Sequence, residues 1–299
     1  MAGVLAFALW APPSLVGLPF AALIVASRPR TAGEWVAALL VGAPSVGLLI
    51  LPAGGMLAAL VRTYVVLVTA AFVAGALVVP ARCLRQAVRA SLLAGAATLG
   101  LTWAVWGAGA WEALHWEATR EASWAMRLLV GLYPQAFAAF EPVVRFVSDT
   151  IPAMLVLQTL AGLALAWQWH QRVAARPLGH PLAPFREFRF GDHWVWGLVA
   201  GLAVWVTPAL AALKAAALNV VVVLGALYLL RGAAIVAAFA QAVGWSTGAV
   251  LAAAAAAAVL TVPLLLLIPG LWALGVTDTW LEFRRRLAGR RAGGQSHPL

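Results

Sequence analysis

Apolar runs of about the length of a bilayer crossing follow one another along almost the whole of this chain, and short segments between them hold most of the arginines. A helix needs roughly 20 apolar residues to cross a hydrocarbon core of about 30 Å. Runs at 34–52, 56–79, 88–110, 150–170, 193–213, 217–241 and 248–275 are of that order. Residues 2–27 are apolar as well, but Pro12 and Pro13 interrupt them. Proline removes a backbone donor and clashes one turn back, so the pattern predicts a short segment to Trp10 and a helix from Ser14 to Ala26. The expected fold is therefore all-α: a polytopic transmembrane helix bundle of about seven or eight spans, forming a single integral membrane domain over 1–299.

One stretch breaks the pattern. Over 112–148, Glu112, His115, Thr119, Arg120, Ser123 and Arg127 recur at helical spacing, with Leu114, Ala118, Ala122, Ala125 and Leu129 between them. That predicts an amphipathic helix lying at the interface, with Pro134 and Pro142 interrupting the remainder of the segment. A basic connector at 171–192 and a basic tail at 284–299 complete the polar segments.

Composition sharpens this picture. Of the residues, 64% are hydrophobic and 10% charged, with a mean hydropathy of +0.94, which excludes a soluble enzyme. Fifteen Trp against three Tyr suit aromatic belts at lipid–water interfaces. The net charge of +10 is spread over loops between apolar runs rather than clustered on one surface, so it points to topology and anionic lipid rather than nucleic acid. A lone Cys83 forbids an internal disulfide. Arg28, Arg30, Arg82, Arg85, Arg89, Arg172, Arg176, Arg186 and Arg189 fall on one side of the expected spans, which the positive-inside rule makes cytoplasmic. Three further spans then put Arg284–Arg286, Arg290 and Arg291 outside. The conflict points to a re-entrant or miscounted late segment, with 248–275, which holds Pro263 and Pro269, the first suspect and a cytoplasmic tail favoured.

Charge inside a span costs about 2.5–3.5 kcal/mol by insertion scales, so Arg62 and Arg231 stand out. Arg62 sits about two turns inside its span and is expected to snorkel. Arg231 calls for a functional role, an ion pair or a bond to carbonyls of a broken helix. Asn219, roughly three turns earlier on the same helix, is expected to share a polar seam with it. Gln158, like Gln241, is either interhelical glue or a ligand contact. Lys214 reads as an interface anchor. His170, His180 and His193 read as solvated, and Asp278 with Glu282 as a local pair neutralising Arg284–Arg286. Glu112-Ala-Leu-His115 has a di-metal spacing without a second copy, so no metal and no cofactor is expected. No nucleophile elbow, phosphate loop or zinc-protease motif occurs, so no enzymatic activity is expected.

Pro184-Phe-Arg-Glu-Phe-Arg-Phe190 with Asp192-His-Trp-Val-Trp-Gly-Leu198, Leu227-Tyr-Leu-Leu-Arg-Gly232, and the closing Leu274-Gly-Val-Thr-Asp-Thr-Trp-Leu-Glu-Phe-Arg-Arg resemble the YybS-like family of bacterial integral membrane proteins. The motif positions are Phe185, Arg186, Phe188, Arg189, Asp278, Trp280, Phe283 and Arg284. This chain departs from the family pattern in carrying Arg231 where a Gln is expected. The resemblance implies a multi-pass protein of the bacterial inner membrane. In hydropathy and segment pattern the family is similar to the substrate-capturing components of energy-coupling-factor transporters, a fold-level analogy. Two functions are expected from these readings. One is a small-molecule binding or transport subunit with a membrane-protein partner and an unidentified ligand. The other is a non-transporting scaffold of the cell envelope.

Overall fold

The computed structural model describes residues 13–283 apart from 53, 81, 82, 133, 247, 250, 251 and 253–260. Arg82, Arg284–Arg286 and the rest of the basic tail lie outside the described residues, as does most of the alanine run at 252–258. Within them the chain is all-α, with no strand: α1 (Ser14–Ala26), α2 (Ala32–Ile50), α3 (Met56–Val78), α4 (Cys83–Trp106), α5 (Ala110–Leu132), α6 (Phe140–Val173), α7 (Trp194–Val206), α8 (Lys214–Ala242) and α9 (Thr261–Leu281). Short 3-10 turns occupy Pro134–Ala139, Phe185–Glu187 and Pro208–Leu213.

Among the described residues, five stretches are long and apolar enough to cross a membrane: Ala32–Ile50, Met56–Val78, Cys83–Trp106, Phe140–Val173 and Pro208–Ala242. Their apolar side chains are largely uncovered, Leu40 at 73% and Val78 at 80% exposure for example. In water such a surface would be an aggregation liability; in a bilayer it is the solvated face.

The chain divides into two compact units, Met1–Leu182 and Ala183–Leu299, the boundary falling inside the 171–192 connector. In the first unit α1 packs on α2, α3 and α6. Small residues set the approach: a Cβ on Gly162 would press on the Leu15 carbonyl at 2.8 Å, and one on Gly42 on the Ala21 methyl at 2.7 Å. The core joins Leu15 and Leu23 of α1 to Val68 and Phe72 of α3, Ala90 and Ala94 of α4, and Leu163 and Trp167 of α6.

Helix ends here are fixed by carboxylates. Thr31 and Glu34 form a reciprocal capping box at the start of α2, satisfying donors that the first turn leaves orphaned. Glu34 Oε1 also accepts from Ala175 N at 2.8 Å, tying the end of α6 to that cap. At α3 the N-cap is Gly55, which has no side chain to offer. Glu117 of α5 fills the role, accepting from Met56 N at 3.1 Å and Leu57 N at 2.6 Å. The connector's first half folds back on α6, where Trp167 Nε1 donates to the His180 carbonyl at 3.0 Å.

Two sequence expectations change. The expected amphipathic segment 112–148 is two helices, α5 and the opening turns of α6, and α6 runs unbroken through Pro152 to Val173. The expected span 193–213 is the 13-residue α7, roughly 20 Å long at 1.5 Å per residue and short of the ~30 Å core. It stops at Thr207-Pro208, because proline biases the residue before it away from helix. Of the suspect 248–275 segment, the helix is described from Thr261 onward and contains Pro269.

A buried arginine centre in the second unit

α8 packs on both α7 and α9. Its contact with α9 is closest at two glycines. A Cβ on Gly232 would collide with the Leu271 carbonyl, and one on Gly275 with the Tyr228 carbonyl. This is the close backbone approach that small residues permit between helices in lipid, and Asp278 comes one turn after Gly275.

That crossing brings Asp278 to Arg231. The guanidinium is fully buried; its Nε donates to Asp278 Oδ2 at 2.9 Å and its Nη1 to Asp192 Oδ1 at 2.7 Å. Asp278 is 3% exposed and Asp192 43%, so one carboxylate is interior and the other opens outward. Asp278 Oδ1 accepts from Phe283 N at 3.0 Å, capping the end of α9. Arg189 lies 3.4 Å from Asp192 and 3.7 Å from Glu282. Two guanidiniums thus meet three carboxylates. Because Asp192 precedes α7 by two residues and Asp278 sits in the last turn of α9, the guanidinium lies level with both helix ends.

Aromatic rings cover it. The Phe190 ring is 5.7 Å from the guanidinium carbon, within cation–π range, and meets Tyr228 edge-on at 4.9 Å. Phe185, Phe188 and Phe190 continue the cluster at 6.4 and 6.1 Å. Arg186 Nη1 donates to Gln241 at 2.7 Å, fixing the connector on α8.

Three buried polar atoms here have no hydrogen-bond partner among the described residues: Arg231 Nη2, the Tyr228 hydroxyl and the Thr279 hydroxyl. The two hydroxyls face each other without meeting hydrogen-bond geometry. Buried donors left unmet cost about 1–3 kcal/mol each, and natural proteins relieve that with water or ligand.

The other sequence candidates fall elsewhere. Asn219 donates to its own helix at the Ala215 carbonyl, 2.9 Å away, and does not join the Arg231 centre. Twelve residues leave it about 120° around the helix from Arg231, which defeats the shared seam. Arg62, in the first unit, donates to the Leu51 and Pro52 carbonyls, the latter at 3.3 Å, so it binds the open C-terminal end of α2. Gln158 is partly buried on α6. Asp278 and Glu282, read as a local acidic pair, instead reach Arg231 and Arg189. Trp280 is 62% exposed, and Arg284 lies outside the described residues. Lys214 opens α8. His170 is fully buried, with neither ring nitrogen hydrogen-bonded among the described residues, against the expectation of a solvated histidine. No group of three or more His, Cys, Asp or Glu that could hold a metal occurs among the described residues.

The three segments that carry the family resemblance, the Pro184–Asp192 connector, the middle of α8 and the end of α9, are thus the segments that build this centre. No curated protein and no solved structure matches the chain. The family model described as "Predicted membrane protein (DUF2232)" matches residues 4–279, and the chain belongs to that family of predicted membrane proteins.

Proposed function

We propose that this chain is a non-enzymatic, multi-pass subunit of the bacterial cytoplasmic membrane that binds a small neutral solute at the Arg231 centre, in service of transport with a membrane-protein partner. The observation that carries the reading is the set of unmet donors beside a neutralised arginine: Nη2, Tyr228 and Thr279. An ionisable residue within a membrane segment is a functional candidate by default. Here Asp278 and Asp192 cancel the positive charge, so an anion gains little. A carbonyl or hydroxyl oxygen accepts from Nη2 and leaves the ion pairs intact. Polar groups at helix ends beside a broken segment are the usual setting for a membrane solute site.

Replacing Arg231 is a poor test, because it strands Asp278 in the interior. The hydroxyls are the better targets. Native mass spectra of the full chain in mild detergent should carry a reproducible small-molecule adduct, lost in Tyr228→Phe/Thr279→Val at unchanged melting temperature. A wild-type protein carrying lipid alone sinks the proposal.

A second reading, a non-transporting envelope scaffold, draws support from the same ion pairs, which use most of the guanidinium and lock the connector to α8 and α9. Envelope proteins copurifying in place of a solute would favour it.

A further inference from the structure

The first unit holds a second polar place, built by α5 and α6. A cavity of about 410 Å³ is lined by His115 and Thr119 of α5 and by Phe140, Glu141, Arg145 and Ser148 of α6. That volume is in the range of small-molecule sites. Glu141 and Arg145 stand one turn apart on α6, in the order that ordinarily pairs along a helix. Their side chains nevertheless make no ion pair or hydrogen bond with each other or with another described residue. His115 Nδ1 lies 4.0 Å from Asp149 Oδ1. The Thr119 and Ser148 hydroxyls donate to their own helices, to the His115 carbonyl at 2.8 Å and the Arg145 carbonyl at 2.9 Å, which leaves their oxygen lone pairs to accept.

The cavity therefore offers a cation and an anion side by side. A purely anionic ligand would meet Glu141, and a purely cationic one would meet Arg145. A zwitterion satisfies both. Depth says which zwitterion. The charged residues in the opening turns of α6 stop at Asp149, and an uncharged, largely apolar stretch runs from 150 through 169 before Arg172 in the last turn, so the cavity sits where that helix passes from polar to hydrocarbon surroundings. Trp111, Trp116 and Trp124 of α5 and Phe137 of the turn between α5 and α6 are exposed, the aromatic signature of headgroup level. Val143, Phe146 and Val147, also exposed on α6, give acyl chains an apolar surface beside the charges.

We propose that this cavity holds the headgroup of a zwitterionic phospholipid, with Arg145 and His115 taking the phosphate and Glu141 taking the ammonium. The planar guanidinium fork matches phosphate oxygens. This site is separate from the Arg231 centre and does not rest on the solute-binding reading.

The test is native mass spectrometry of the full chain in mild detergent, titrated with phosphatidylethanolamine, phosphatidylglycerol, diacylglycerol or free phosphoethanolamine. Phosphatidylethanolamine should be retained about tenfold better than diacylglycerol, the worth of one charge-assisted hydrogen bond. Arg145→Gln should abolish that advantage and Arg145→Lys keep only part of it. Glu141→Gln should bring phosphatidylglycerol level with phosphatidylethanolamine. Diacylglycerol binding as well as phosphatidylethanolamine overturns the proposal, as does an Arg145→Gln protein that retains the wild-type preference. Free phosphoethanolamine binding as tightly as the lipid overturns the lipid source and leaves a soluble zwitterion in its place.

Discussion

Arg231 of α8 and Asp278 of α9 are joined Nε to Oδ2 at 2.9 Å, both buried and 47 residues apart in sequence. The second carboxylate on the same guanidinium, Asp192, is 43% exposed. Burial makes the two partners unequal. Removing one partner of a buried pair strands the other charge, at about 3–5 kcal/mol, whereas an exposed pair contributes about 1 kcal/mol or less. Asp278→Ala should therefore destabilise the protein by about 3–5 kcal/mol in denaturant titrations from mixed micelles, and Asp192→Ala by about 1 kcal/mol. Equal losses would contradict the assignment of Asp278 as the interior partner.

The same reasoning governs the double replacement. Arg231→Leu and Asp278→Leu each leave one uncompensated charge, but together they leave none in the interior, since Asp192 can face outward. The double variant should be more stable than either single one, a coupling of several kcal/mol between contacting residues. Simple additivity in the same titration would mean that the two side chains do not meet.

Glycines at the α8–α9 crossing should be intolerant where others are not. Gly275→Ala drives a methyl into the Tyr228 carbonyl, while a Cβ on Gly95 of α4 meets nothing within 4 Å among the described residues. Gly275→Ala should cost about 1–3 kcal/mol or more through overpacking. Gly95→Ala should be neutral or stabilise by up to about 1 kcal/mol. Melting of the two variants side by side checks the contrast.

Glu117 holds the start of α3 from another helix. Glu117→Ala should cost about 1 kcal/mol, the usual worth of an N-terminal cap. Amide exchange should locate the effect, with Met56 and Leu57 losing protection while the middle of α3 does not.

Much of the frame was legible in the sequence because lipid allows few spanning structures. Apolar length, with the Pro12–Pro13 break, placed α1 at Ser14–Ala26, and apolar length placed α3 close to its observed bounds. Arg231 stood out for the same reason, as a charge in a span. Its partner did not. Asp278 lies beside Glu282 and a run of arginines, so a local reading satisfied it, and only the Gly232–Gly275 crossing shows where its carboxylate goes. Gly232 and Gly275 were two glycines among 27, with nothing in the sequence to pair them. Asn219 could have been set apart from Arg231 by helix geometry alone, since twelve residues is a third of a turn past three full turns. Glu117 left only a faint signal, an uncapped Gly-Gly start to α3. The three resemblance segments were legible as motifs, but their convergence on one guanidinium was a tertiary fact.

The most direct test of the central claim is an experimental density map of the second unit in lipid, at a resolution that shows side chains and ordered small molecules. The account predicts the Arg231 guanidinium between Asp278 and Asp192, with non-protein density within hydrogen-bond reach of Nη2 and the Tyr228 and Thr279 hydroxyls. A map with Arg231 turned away from Asp278, or with those three groups packed only against apolar atoms, would contradict it.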